Sequence, residues 1–346
     1  PGAGFRIDSY GTGGSHGGEG GSESAVHMAP PAYGFFIEPH QFGSGGGDGS
    51  EGRGGCGGGI LVFNHVNSTV TVDGRLSANG ENGGTTSGGG SGGSIHVICH
   101  EFDGSNTGIV QVTGGSGRNG GAGGRLAVEY KIKHFIGDLK SEGGQGLKGE
   151  NGAAGTIFTK DHGSGGTKTL MIYNMRGKGQ STVSTQERKT KITLPENKTE
   201  DYDMDIMDLG DYAQVGLLAT DSAGNPSNGS RALKLTHVQG DHTATIHVEK
   251  GMKLNIDFNA SAVLSFNIVL YEEASVNLPY DTYLRDSSVI LYGGILESLN
   301  TLNISPNGAF ILYPPARLNK TQSDRSRTLY LNSLSIFDGG VFRYEG

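Results

Sequence analysis

The chain has no tryptophan, two cysteines and ten prolines in 346 residues, and only 18% of its residues are charged. Two sulfurs cannot build a disulfide-dense scaffold, and without the paired spacing of zinc ligands they point away from a structural zinc centre. Lys and Arg number 27 against 35 Asp and Glu, a net −8 with no basic stripe. That excludes the electrostatic footprint of a nucleic-acid binder. No apolar run approaches the roughly 18 residues of a membrane-spanning helix. Nor does any stretch repeat apolar residues at i, i+3, i+4 and i+7, so the chain reads as all-β. It opens on Pro1 rather than Met, shows no signal peptide and stops on strand-like Val341-Phe342-Arg343-Tyr344. On those grounds it reads as a segment of something longer.

What the chain has in quantity is glycine, 63 in all, of which 49 fall in 1–170 and 14 in the rest. Composition alone would class 1–170 as low-complexity. Apolar runs interrupt the glycine, however: Ile60-Leu61-Val62-Phe63, Ile95-His96-Val97-Ile98, Leu126-Ala127-Val128 and Ile157-Phe158, each preceded by glycine. Taking Ile60, Ile95, Leu126 and Ile157 as equivalent gives offsets of 35, 31 and 31 in sequence number. A strand pair plus a glycine patch, repeated, is the signature of a solenoid. Leu126, Val128, Tyr130 and Ile132 alternate with Arg125, Ala127, Glu129 and Lys131. Period two places Leu126, Val128 and Tyr130 inward, stacked on Ile95, Val97 and Cys99, and leaves Arg125 and Glu129 exposed. The glycine-only stretches 11–24, 43–59, 83–93 and 114–124 read either as flexible loops or as extended, polyglycine-II-like threads packed side by side.

The second half repeats more loosely. Gly251-Met252-Lys253-Leu254 recurs as Glu273-Ala274-Ser275-Val276 at an offset of 22, and Pro306-Asn307-Gly308-Ala309-Phe310 recurs from Asp338 at an offset of 32. Ala274-Ser275-Val276 matches Ala309-Phe310-Ile311 at an offset of 35. Short strands turned by Gly, Asn and Asp at such spacing suit the rungs of a parallel β-helix. The expected division is 1–166, a glycine-rich β-helical region, and 167–346, a second β-helical region. Ala219-Thr220-Asp221-Ser222-Ala223-Gly224-Asn225 looks like the closing turn of an immunoglobulin-like module, so an inserted β-sandwich near 180–240 is the alternative there.

The block Gly88-Gly89-Gly90-Ser91-Gly92-Gly93-Ser94-Ile95-His96-Val97, then Gly123-Gly124-Arg125-Leu126-Ala127-Val128-Glu129-Tyr130, then Gly155-Thr156-Ile157-Phe158 resembles glycine-rich, pectin-lyase-like β-helical glycoproteins of cell surfaces and matrices. The resemblance covers roughly a third of the chain. It implies a fold and an extracellular setting, and it carries no catalytic motif.

Six Asn-x-Ser/Thr sequons, at Asn67, Asn197, Asn228, Asn259, Asn303 and Asn319, point to a secreted glycoprotein. Asn259, Asn303 and Asn319 are expected on exposed turns. Cys56 and Cys99 allow one disulfide, although they sit out of phase with the repeat. Gly52-Arg53-Gly54-Gly55-Cys56-Gly57 spells a dinucleotide fingerprint without the following helix that the motif needs. Gly89-Gly90-Ser91-Gly92-Gly93 spells a nucleophile elbow with the same defect. Asp201, Asp203 and Asp205 alternate along a strand and form a solvated face, a Ca²⁺ site or an acid and base acting on a polysaccharide. His65 and His100, at an offset of 35, with Lys131 following at 31, are expected to stack on one outer face.

No nucleophile–base–orienter set appears, so the expected role is not enzymatic and needs no cofactor. The expectation is a structural or assembly segment of a larger secreted glycoprotein. Its partners would be further chains of the same extracellular structure and N-glycans. A binding module for glycans or a surface partner is the first alternative, and a carbohydrate-active β-helix enzyme the second.

Overall fold

The computed structural model describes residues 2–344 except 24–28, 164, 175–187, 196–201, 221–230, 257–261, 299–300 and 314–332. Among the described residues there is no helix, and most of the sheets are parallel. They divide into two compact units. The first is Pro1–Ile192 with Gly210–Gln214, and the second is Thr193–Leu209 with Val215–Gly346.

In the first unit the apolar runs become neighbouring parallel strands, in the order Ile60–Thr71, Ser94–Asp103, Arg125–Tyr130 and Thr156–Asp161; Lys168–Tyr173 comes next, antiparallel. Ile95 lies opposite Leu126 and Val97 opposite Val128, and Leu126 lies opposite Ile157, as the offset of 31 requires. Leu61, not Ile60, lies opposite Ile95, so the first offset is 34 rather than 35. A second, three-stranded sheet of Arg75–Ser77, Ile109–Gln111 and Asp138–Lys140 is also parallel. One hydrophobic core includes Ile95, Val97, Cys99, Leu126, Val128 and Ile157 with Val110 and Val112, and Tyr130 packs against it half-buried.

The glycine stretches are ordered threads. The central one, 88–93, has no positive φ, so its glycines are not there for backbone freedom. Its N–H groups point in rotation to three neighbours. Gly88 and Ser91 donate to Gly47 and Ser44, Gly89 and Gly92 to Asn119 and Ala122, and Gly90 and Gly93 to Glu81 and Ala78. Its carbonyls accept from others: Gly55 and Gly58 donate to Gly88 and Ser91, Gly14 donates to Gly89, and Gly115 to Gly90. Three residues per turn is the period of a polyproline-II thread, and here it spreads hydrogen bonds over six surrounding segments. A Cβ added at Gly90, Gly121 or Gly152 would lie below 3.0 Å from backbone of the next thread. The flexible-loop reading is thereby corrected. Each bond contributes about 1 kcal/mol net, while ordering a residue costs roughly 1–2 kcal/mol. The lattice therefore depends on the apolar core beside it.

The second unit contains three parallel sheets. One holds Tyr202–Gly210, Arg231–Gly240, Met252–Ile256, Ser275–Asn277 and Ile295–Ser298. Another holds Thr245–Val248, Asn267–Leu270, Ser288–Tyr292, Ala309–Tyr313 and Val341–Tyr344. The last holds Ala262–Leu264, Asp281–Leu284, Thr301–Ile304 and Ser333–Ile336. From Thr245 to Tyr313 the chain visits the three in fixed rotation. Ile246, Ile268, Val289 and Phe310 lie in line at offsets of 22, 21 and 21, and Phe342 follows at 32. The expected offsets of 22 and 32 are present. The match at 35 is not a pairing, since Ala309 lies opposite Ser288. Asp286, Asn307 and Gly339 take the left-handed conformation in successive repeats, with φ of 50°, 60° and 79°, residue types that tolerate it. Tyr202–Gly210 and Arg231–Gly240 pair in parallel, where an immunoglobulin-like sandwich has antiparallel sheets. That corrects the inserted-sandwich alternative; its turn signal at 221–225 lies outside the described residues.

Candidate functional site

Period two sends Ser94, His96 and Ile98, then Arg125, Ala127 and Glu129, then Thr156, Phe158 and Lys160 to the face of the first unit's sheet opposite the core. Wet residues were expected there. Arg125 is instead 1% exposed and Glu129 9%. The register is right, and the burial has another cause: the segment around 29–42 lies over this face. Phe36, itself buried, meets Phe158 edge-on at 5.8 Å, and Gln41 exchanges hydrogen bonds with the Ser94 hydroxyl. The one signal was an aromatic cluster, Tyr33, Phe35 and Phe36, in a glycine-rich region.

Arg125 joins this cover to the strands. Its Nε donates to the Tyr33 carbonyl at 3.0 Å, Nη2 to the Lys191 carbonyl at 3.1 Å and Nη1 to Thr156 Oγ1 at 3.4 Å. Burial lowers the guanidinium to about 9, and it remains a cation at neutral pH. His16 lies beside it, its ring 4.8 Å from that of Tyr33. Its Nδ1 donates to the Gly92 carbonyl at 2.8 Å. Burial first, and then the Arg125 charge, hold His16 at about 3, so it is a neutral tether between lattice and sheet.

Glu129 forms the other polar group. Its Oε1 accepts from His96 Nε2 at 3.3 Å, and its Oε2 accepts from His162 Nε2 at 2.8 Å, with Lys160 Nζ 3.5 Å away. The three partners come from the adjoining strands and the residue after Thr156–Asp161. The His96 hydrogen bond first, then those of His162 and the Lys160 charge, outweigh burial and hold the carboxyl at about 2. A carboxylate so fully engaged is a poor nucleophile or base, and its chemistry here is that of a clasp across three strands.

The remaining expected sites are scattered. His65 lies opposite Cys99, not His100, because the offset of 34 moves it to the other side of the pleat; Lys131 does follow His100, donating its N–H to the His100 carbonyl. The His65–His100 ladder is thereby corrected. Cys56 is exposed and Cys99 buried in the core, both as free thiols, so the disulfide is not formed. Asp203 is exposed on its strand, 3.9 Å from Lys234 opposite, and Asp205 is half-buried; Asp201 lies outside the described residues. Among the described residues no group of three His, Cys, Asp or Glu side chains could hold a metal ion. Asn67 is exposed where the pairing of Ile60–Thr71 slips between His65 and Thr69. Asn303 lies not on a turn but within Thr301–Ile304, 8% exposed, flanked by Tyr283 and Ser335 on either side. Asn197, Asn228, Asn259 and Asn319 lie outside the described residues.

A feature the sequence reading missed lies in the second unit. Tyr271, Tyr292 and Tyr313 stack at ring separations of 6.1 and 4.5 Å, with interplanar angles of 18° and 15°. Their even spacing, 21 apart in sequence number each time, was the available signal. Compared with protein-family models, curated proteins and solved structures, the chain matches none.

Proposed function

We propose that this chain is a structural segment of a secreted glycoprotein, built as a parallel β-helix and assembling with further copies or related chains into an extracellular filament, coat or matrix. The observation that carries the reading is the lattice around 88–93. There, successive backbone groups are engaged with six neighbours and no side chain is offered for chemistry. Such a lattice is a rigid spacer whose material is backbone. The rotation of strands among three sheets in the second unit supports the β-helix, since each turn then stacks on the last. Edge strands support assembly. Ile60–Thr71 pairs only with Ser94–Asp103 among the described residues and exposes Val62 and Val66, each by 54%. Unpaired edges of this kind recruit strands. Asn67, exposed on the same strand, fits a glycosylated surface. The stacked tyrosines weigh against the glycan-binding alternative, because their faces cover one another instead of offering a platform to a sugar.

Light scattering and negative-stain imaging of material isolated without denaturant test the reading. Filaments or regular polymers are expected. Monodisperse single-chain particles would overturn it.

A further inference from the structure

We propose that Tyr292 and Tyr313 are a site of oxidative cross-linking, coupled ring to ring within one chain to staple two successive turns of the second unit. The two residues lie directly opposite each other on neighbouring parallel strands, Ser288–Tyr292 and Ala309–Tyr313. Their rings are nearly parallel with centroids 4.5 Å apart, the close end of the range for aromatic pairs. Tyr292 is 43% exposed, so an oxidant reaches it. The neighbouring pair is less suited. Tyr271 stands 6.1 Å from Tyr292, and its hydroxyl is hydrogen-bonded to Nδ1 of the buried His247 at 3.1 Å. Among the described residues no other two tyrosines stack at all. Tyr280 and Tyr344 are more exposed, at 67% and 65%, but neither stacks on another tyrosine among the described residues.

The chemistry balances with an external peroxide. Each phenol loses one electron and its hydroxyl proton to give a phenoxyl radical. The two radicals join through ring carbons ortho to oxygen, forming one carbon–carbon bond. Each coupled carbon then releases its hydrogen as a proton, and each oxygen regains one, restoring both aromatic rings. Two electrons and two protons leave in all, and hydrogen peroxide, turned over by a haem peroxidase, takes them up to become two waters. The protein supplies no redox group; it supplies proximity, which converts an encounter between radicals into an intramolecular step.

The test uses the full chain, dilute enough that collisions between chains are rare, treated with a haem peroxidase and hydrogen peroxide. Expected are a monomer lighter by two hydrogen atoms, dityrosine fluorescence, and one digest product joining the peptides that carry Tyr292 and Tyr313. Tyr292→Phe and Tyr313→Phe should each abolish that product while keeping the ring stack and the fold. Tyr344→Phe should leave its yield unchanged. Dityrosine found only between chains, joining other tyrosines, or persisting in Tyr292→Phe would overturn the proposal. So would unchanged monomer mass in peroxide-treated native protein.

Discussion

In the first unit each repeat advances the sequence number by 31 to 34, and much of that length is glycine thread. In the second, from Thr245 to Tyr313, the advance is 20 to 22. Side chains such as Leu233, Leu254 and Val276, all fully buried, fill the second unit. Backbone carbonyls occupy the space between threads in the first. An interior of side chains is damaged by removing atoms, and an interior of backbone by adding them. The same contrast sets the hydrogen bonds apart. Strands bond in one plane to two neighbours, whereas a three-fold thread bonds in three directions and needs no flat partner.

The comparison is broken most sharply by adding atoms to the lattice. Gly90→Val should unfold the first unit, at a cost on the order of 3 kcal/mol or more, because every nearest atom its Cβ meets is backbone of another thread. Denaturant unfolding followed by circular dichroism would check it. Near-native stability would mean the threads are not packed as described. Removing atoms should matter in the second unit: Leu254→Ala is expected to cost about 2–5 kcal/mol, read as a lowered denaturation midpoint.

Acid should act on the first unit through His16 before Glu129. His16 is held at about 3, below its ordinary 6.5, and so is neutral when folded. Unfolded chains bind its proton more readily, so stability is full above pH 6.5 and falls down to about pH 3, by on the order of 1.4 kcal/mol per unit crossed. Glu129 is held at about 2 against an ordinary 4.5; its contribution is present above 4.5 and is lost as the pH falls through about 2. His16→Asn, which keeps a donor for the Gly92 carbonyl, should flatten the slope between pH 6.5 and 3. An unchanged slope would assign it to other groups.

The smallest effects locate the limits of the lattice. Gly59 and Gly74 have open space where a Cβ would go and no positive φ. Alanine at either should be neutral or stabilise by about 0.4–1 kcal/mol, and a loss comparable to that of Gly90→Val would contradict the packing. In native alkylation Cys56 should react and Cys99 stay silent, since Cys99 is buried and its thiol pushed up to about 11. Peptide mapping distinguishes the two.

Much of this architecture was already written in the order of residues. The alternation at 125–130 and the offset of 31 paired Leu126 with Ile95 and Ile157, because a strand with one apolar set allows few registers. Asp, Asn and Gly marked the corners at 286, 307 and 339, because few other residues take the left-handed conformation there. The first offset was misread by one position since Ile60 and Leu61 are both apolar and either could be aligned with Ile95. Tertiary structure alone decided the rest. A solvated face and a face covered by a distant segment share one alternation, so nothing in 125–130 announces that Arg125 is buried with its Nε on the Tyr33 carbonyl of 29–42. Glycine, with no side chain, leaves no pattern from which a thread's neighbours can be read. Those neighbours are chosen by backbone groups identical at every position, and only their arrangement in space distinguishes them.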